Sequence, residues 1–86
     1  MSLSTRQQLR GARAMLGWTQ QELATHAGIS LPSIKRLERG DGALAIRLDT
    51  LQKLQTAFKK AGIEFLDPNG GGPGVRLANR RPSSRT

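Results

Sequence analysis

The side chains best suited to chemistry in this chain are cations clustered in one short segment. Lys35, Arg36 and Arg39 lie within five positions of one another, and Ser30 and Ser33 precede them. An arginine can donate two parallel hydrogen bonds to the O6 and N7 atoms of guanine, and both arginine and lysine bind phosphate oxygens. Groups of this kind bind a polyanion, so the segment predicts a nucleic-acid contact surface.

Two helix-start signals place this segment on the second of two neighbouring helices. Thr19 followed three residues later by Glu22 forms a capping box, and Trp18 and Leu23 are spaced as a hydrophobic staple. We therefore expect the first of the two helices to begin near Gln20.

A glycine and a second cap signal follow. Gly28 stands where the first helix must stop, because glycine adopts the left-handed conformation of a sharp turn without a Cβ penalty. Ser30 is placed to cap the second helix, and Gly40 is placed at its C-terminal cap. Residues 19–40 therefore predict a helix-turn-helix.

The apolar positions of this unit indicate which side of the second helix faces outward. Ala24, Ile34 and Leu37 are spaced to form the contact between the two helices. Leu31 and Pro32 are then expected on the outer face, together with the cations. An exposed cationic helix is typical of an element that enters a DNA groove.

Two further helices are expected around this unit. The first spans residues 4–16, with Ser4 and Gln7 as a capping box, and ends at Gly17. The fourth begins at Asp49, or alternatively several residues earlier, near Leu44, and ends at Gly62. The residues expected in the core include Met15, Trp18, Leu51 and Phe58.

Beyond residue 62 the apolar period changes from helical to alternating. The alternation predicts a short hairpin, or two strands that pair with a second subunit, over residues 63–78. Residues 1–62 then form the helix-turn-helix domain, and residues 79–86 form a flexible basic tail. The candidate dimerisation residues are Ile63, Phe65, Val75 and Leu77.

Composition limits the classes of function that fit. The 86 residues carry a formal net charge of +8, with a pI near 11.6, which suits a polyanionic partner. No cysteine is present, so disulfides, thiolate metal sites and cysteine nucleophiles are excluded. His26 stands alone and is expected to be a surface or capping side chain, so neither a metal, a cofactor nor an enzymatic activity is expected. With no apolar run of membrane-spanning length and no signal peptide, we expect a bacterial cytoplasmic or nucleoid location.

The motifs LGWTQQELA, AGIS and IKRLERG resemble the Cro and phage-repressor type of helix-turn-helix regulators, also called the xenobiotic-response-element family. The resemblance extends from Gln7 to about Phe58, and GIEFLDPNGGGPGVRL is similar to the tail of a subgroup of small bacterial regulators. It implies a mainly α, lambda-repressor-like helical bundle, a dimer and a palindromic operator. It also implies that Arg13 and Glu38 form the buried ion pair of the family.

The expected roles of the site residues divide between bases and phosphates. Base readout is assigned to Arg36, with Leu31 against a thymine methyl group and Ser30 at the start of the helix. The expected phosphate contacts are Gln21, Ser33, Lys35, Arg39 and Arg47. The resemblance implies a further phosphate contact by Gln20, which matches the family glutamine at the first position of the supporting helix.

Two functions remain open at this point. The first is a homodimeric, sequence-specific DNA-binding transcriptional regulator, expected to be a repressor, that acts on an inverted-repeat operator in double-stranded DNA. The second is an antitoxin-like regulator that binds a partner protein through its C-terminal ribbon.

Overall fold

Four helices precede a two-stranded hairpin in the computed structural model, which describes residues 3–66 and 74–77. The elements are α1 (Arg6–Leu16), α2 (Gln20–Ala27), α3 (Leu31–Glu38), α4 (Leu48–Lys60), β1 (Ile63–Leu66) and β2 (Gly74–Leu77). The expectation of a small, mainly α bundle with a C-terminal hairpin is confirmed. The tail predicted at residues 79–86 lies outside the described residues.

The N-cap of α1 is one residue later than the sequence predicted. Thr5, not Ser4, is the N-cap, and Gln8, not Gln7, completes the capping box. Gln8 is buried, and its Nε2 donates a hydrogen bond to the carbonyl oxygen of Gly74 at 3.0 Å. Two capping pairs are equivalent in sequence, Ser4 with Gln7 and Thr5 with Gln8. The hydrogen bond between Gln8 and β2 favours the second pair.

The local signals of the helix-turn-helix are confirmed. The side chain of Thr19 accepts a hydrogen bond from the amide of Glu22 at 3.0 Å, and Glu22 Oε1 accepts one from the amide of Thr19 at 2.8 Å. Gly28 ends α2 with a φ of 70°, and the hydroxyl of Ser30 caps α3 by accepting the amide of Ser33. The turn between the two helices is thus determined by interactions within four residues.

The boundaries on either side of the loop that follows α3 differ slightly from expectation. Helix α3 ends at Glu38 with Arg39 as its C-cap, and Gly40, predicted at the cap, is the next residue, with a φ of 83°. Helix α4 begins at Leu48, one residue before the predicted start, so the alternative of a start near Leu44 is wrong.

The core draws side chains from every helix and from β1. Its fully buried large side chains are Leu9, Leu23, Ile34, Leu54 and Phe58. Met15 was expected among them but is 44% exposed, because Leu16 takes the inward position at that end of α1 and its neighbour then points about 100° away. Trp18 and Leu51 are half-buried and pack against the core.

The hairpin belongs to this core. Its strands are antiparallel, with Ile63 opposite Leu77, so they pair within one chain. Ile63 and Phe65 are buried, and the ring of Phe65 meets that of Phe58 edge-on at 5.6 Å. These two side chains, which were expected to take part in dimerisation, contact the core of their own chain.

The second strand is more open. Val75 is half-buried and lies over Gly11 of α1, where an added Cβ would stand 3.5 Å from its Cγ2 atom. Leu77 is 44% exposed and is the most open of the four predicted dimerisation residues.

The segment before α1 pairs with the loop between α3 and α4. Thr5 forms an antiparallel bridge with Ala43. Main-chain hydrogen bonds run from Leu44 N to Ser4 O at 3.0 Å and from Arg6 N to Gly42 O at 2.9 Å. Residues 4–6 therefore fix the position of the loop that follows α3. None of the helices described is long and apolar enough to cross a membrane.

Candidate nucleic-acid interface

One face of α3 is buried and the opposite face is cationic. Ile34 and Leu37 pack into the core, whereas Lys35, Arg36 and Arg39 are exposed. Within residues 3–66 and 74–77, no ion pair involves any of these three cations. This face therefore presents three positive charges to an incoming ligand.

Leu31 and Pro32 occupy the start of the same helix. Pro32 is exposed as expected, but Leu31 is half-buried and packs against the core. The structure therefore reduces the apolar surface that Leu31 can offer to a thymine methyl group. The groups available for DNA contacts at the N-terminal end of α3 are therefore mainly hydroxyl groups.

Those hydroxyl groups belong to Ser30 and Ser33. Ser30 Oγ accepts the amide of Ser33 and donates to Ser33 Oγ at 2.8 Å, so its donor is already used. The hydroxyl hydrogen of Ser33 has no acceptor among the described residues, and a hydroxyl carries one such donor. Ser33 is therefore the better placed of the two to bind a phosphate oxygen.

The two glutamines at the start of α2 differ in their surroundings. Gln20 is half-buried, and its Nε2 donates to Glu38 Oε1 at 3.1 Å. Gln21 is exposed and donates to Thr25 Oγ1 at 3.3 Å. Because an amide nitrogen carries two hydrogens, each side chain retains one donor for a phosphate.

The structure brings Arg13 and Glu38 together in a two-point ion pair. Arg13 Nε and Nη2 donate to the Glu38 carboxylate at 2.7 and 3.0 Å, and Nη1 donates to the carbonyl oxygen of Trp18 at 2.9 Å. The Glu38 side chain is 4% exposed and that of Arg13 is 23% exposed. The pair joins α1 to the end of α3, and Arg13 also joins α1 to Trp18, two residues before α2. The two-point geometry is the one that makes charge-assisted hydrogen bonds strong.

Two further arginines of α1 reach the same end of α3, and sequence reasoning missed this role. Arg6 Nη1 donates to the carbonyl oxygens of Arg36 at 3.2 Å and Leu37 at 2.7 Å. Arg10 Nη1 donates to the carbonyl oxygens of Glu38, at 2.7 Å, and of Gly40, and Nη2 donates to Asp41 Oδ1 at 2.8 Å. Both arginines contribute to the net charge of +8 that suits a polyanionic partner. The four- and three-residue spacing of Arg6, Arg10 and Arg13, which places them on one face of a helix, was the available signal.

Arg47 lies apart from this cluster, at the N-cap of α4. Its side chain is 84% exposed and its ion pair is with Asp49 at 3.3 Å, which is itself exposed. Exposed pairs of this kind contribute little, so Arg47 is free to exchange its partner for a phosphate.

The lone histidine lies at the surface, as expected. The ring of His26 stacks on that of Trp18, with centroids 4.1 Å apart and planes 5° apart. No group of three potential metal-ligating residues occurs in the part of the chain that the structure describes.

A comparison with known families agrees with this geometry. Residues 9–65, about two thirds of the chain, match a family model described as helix-turn-helix. The chain belongs to this Cro/C1-type helix-turn-helix family. It is a DNA-binding transcription regulator, and the family is one of regulatory domains, not of enzymes. No curated protein matches the sequence.

Proposed function

We propose that the protein is a homodimeric repressor that binds an inverted-repeat operator through α3. The observation that carries the proposal is the exposed face of α3. Lys35, Arg36 and Arg39 project from it, and none of them pairs with a carboxylate in the described part of the chain. A cationic helix that is anchored at its back by apolar packing suits the major groove of duplex DNA.

Arg36 is assigned the main base contact. It lies on the exposed side of the helix between Lys35 and the buried Leu37, and its planar guanidinium matches the two acceptors of guanine. Lys35 and Arg39 flank it and are assigned to phosphates. Ser30 and the remaining apolar surface of Leu31 are secondary base contacts.

The remaining phosphate contacts surround this helix. Gln20 and Gln21 each retain an N–H donor at the start of α2, and Ser33 retains a hydroxyl donor. Arg47 extends the contact at the start of α4. Such contacts set the position of the protein on the duplex without reading its sequence.

A dimer is proposed because one helix-turn-helix contacts only part of an inverted-repeat operator. A single recognition helix contacts one half-site, so two copies related by a twofold axis would read an inverted repeat with half-sites about 34 to 36 Å apart. The ribbon formed by β1 and β2 is the proposed dimerisation element, with Leu77 as its most exposed apolar side chain. The bacterial cytoplasm or nucleoid is the proposed location.

Selection of bound sites from random duplex DNA tests the proposal directly. The expected result is an inverted repeat with a guanine in each half-site. Arg36→Ala should then weaken binding to each half-site by about 5- to 150-fold, the loss that corresponds to one bidentate base contact. Preference at that guanine should disappear at the same time.

A matched control removes one exposed cation from α4. Lys59→Ala loses the same charge as Arg36→Ala and should leave the base preference intact. An unchanged preference in Arg36→Ala would remove Arg36 from its role, and no enrichment of any sequence by the wild type would contradict sequence-specific regulation. Sedimentation of the purified protein tests the dimer.

The antitoxin-like function would use the ribbon for a different partner. Ile63 and Phe65 are already buried in their own chain, which leaves less apolar surface on the ribbon for a second protein. DNA binding therefore has the stronger support. Recovery of a stoichiometric protein partner with the wild type, lost in Leu77→Ser, would favour the alternative.

A further inference from the structure

Two arginines on α1 are bound to the main chain at the C-terminal end of α3. We propose that Arg6 and Arg10 are positioning residues for base readout, which hold α3 in place for Arg36 and do not themselves contact DNA. This inference rests on the proposed function, since it concerns how the same helix reads bases.

Three of the four acceptors are carbonyl groups in the last turn of α3, where the carbonyl of Arg36 also accepts the amide of Arg39 at 3.3 Å. The last four carbonyls of an α-helix have no intrahelical donor, and they carry the negative end of the helix dipole. Arg6 binds the carbonyls of Arg36 and Leu37, and Arg10 binds those of Glu38 and Gly40. The two guanidinium groups therefore bind the last three carbonyls of α3, those of residues 36 to 38, and one carbonyl of the loop that follows.

The contact reaches the base-reading residue itself. The carbonyl oxygen of Arg36 is one of the acceptors of Arg6, so the main chain that carries the proposed reader is bound directly to α1. A recognition group must be held within about 0.5 Å of its productive position by its supporting residues. Loss of the hydrogen bonds from Arg6 and Arg10 frees the last turn of α3 and allows Arg36 to move away from a guanine edge.

This use of the two cations predicts a particular dependence on salt. Each protein cation that neutralises a phosphate contributes about 0.9 to the slope of log affinity against log salt concentration. Arg6 and Arg10 are occupied by carbonyl groups and by Asp41, so neither should contribute to that slope. A phosphate contact and a positioning contact are therefore distinguishable by measurement.

The experiment compares Arg6→Gln and Arg10→Gln with the wild type on two duplexes, the selected site and a scrambled sequence, over a series of salt concentrations. The expected loss is about 10-fold on the selected site, within the range for a weakened base contact, with little change on the scrambled duplex. The salt slope should stay unchanged. Arg47→Gln provides the phosphate comparator, with similar losses on both duplexes and a smaller slope, and Lys59→Gln provides the control for loss of charge.

Two milder variants keep the test decisive if a glutamine variant fails to fold. Asp41→Asn removes the carboxylate partner of Arg10 at a side chain that is 77% exposed, and it should lower specificity in the same direction by a smaller factor. Arg10→Lys retains the charge but not the fork that reaches several acceptors. It should leave binding to the scrambled duplex unchanged and should still bind the selected site less tightly than the wild type, although more tightly than Arg10→Gln.

Three results would overturn the proposal. Equal losses on both duplexes with a reduced slope would make Arg6 and Arg10 phosphate contacts. Full recovery of specificity by Arg10→Lys would show that charge alone matters. If the wild type prefers the selected site and all the variants keep the same preference, the positioning role fails while the proposed function stands. A wild type that prefers neither duplex would contradict the proposed function itself.

Discussion

The buried pair between Arg13 and Glu38 predicts that removing both partners costs less than removing one. Arg13→Met leaves the Glu38 carboxylate, 4% exposed, with a single hydrogen bond from Gln20. Stranding a buried charge in this way lowers the free energy of unfolding by about 3 to 5 kcal/mol.

The opposite substitution should be milder. In Glu38→Leu, the Arg13 side chain keeps its hydrogen bond to the Trp18 carbonyl and, being 23% exposed, can turn toward water. Its expected cost is about 1 to 3 kcal/mol, the range for lost hydrogen bonds to a charged group. The double variant replaces two charges by apolar side chains, so its free energy of unfolding should be close to that of the wild type.

Urea denaturation followed by circular dichroism measures all four free energies of unfolding. Total stability for a chain of this size is of the order of 4 to 13 kcal/mol, so a single substitution removes a large part of it. If the cost of the double variant equals the sum of the single costs within about 0.5 kcal/mol, the argument from a shared buried charge is refuted.

Two further predictions concern the helix starts. Thr19→Ala should lower the free energy of unfolding by about 0.5 to 2 kcal/mol because it removes the side-chain cap of α2. Thr25→Ala, an exposed control in the same helix, should lower it by less than about 0.5 kcal/mol. Thermal denaturation measures both costs, and equal costs would contradict the capping argument. The backbone hydrogen bond from Thr50 holds the pKa of Asp49 below its ordinary value of 3.8, so the carboxylate stabilises the folded state above that pH and loses this effect as pH falls through the lowered pKa. The stability difference between the wild type and Asp49→Asn should therefore be present at neutral pH and vanish in acid, and a difference that is independent of pH would contradict it.

The sequence was sufficient wherever the determining contacts are local. The Thr19 capping box, the Gly28 turn and the Ser30 cap each involve atoms at most four residues apart, so residue types alone identify them. The same locality left one ambiguity, because both Ser4 and Thr5 are followed three residues later by a glutamine. Contacts between residues far apart in sequence, of Gln8 with Gly74 and of Gln7 with Gly42, distinguish the two pairs.

The candidate site shows the complementary limit. Arg36 could be placed on an exposed face from helical spacing, but the binding of Arg6 and Arg10 to α3 joins residues about 30 positions apart. From composition both arginines count as free positive charge, whereas in the fold they neutralise a helix end. Ile63 and Phe65 show the same limit, since alternation identifies a strand face without saying which surface covers it.

The pairing of the segment before α1 with the loop after α3 affects how that loop can take part in binding. Because residues 4–6 bond to residues 42–44 through their main chains, the loop next to the recognition helix is already ordered in the free protein. The conformational entropy lost in ordering it is therefore spent during folding and does not subtract from the free energy of association. Trimming the chain up to Thr5, the residue before α1, would transfer that entropic cost to the binding step, even though none of the removed residues needs to touch the ligand.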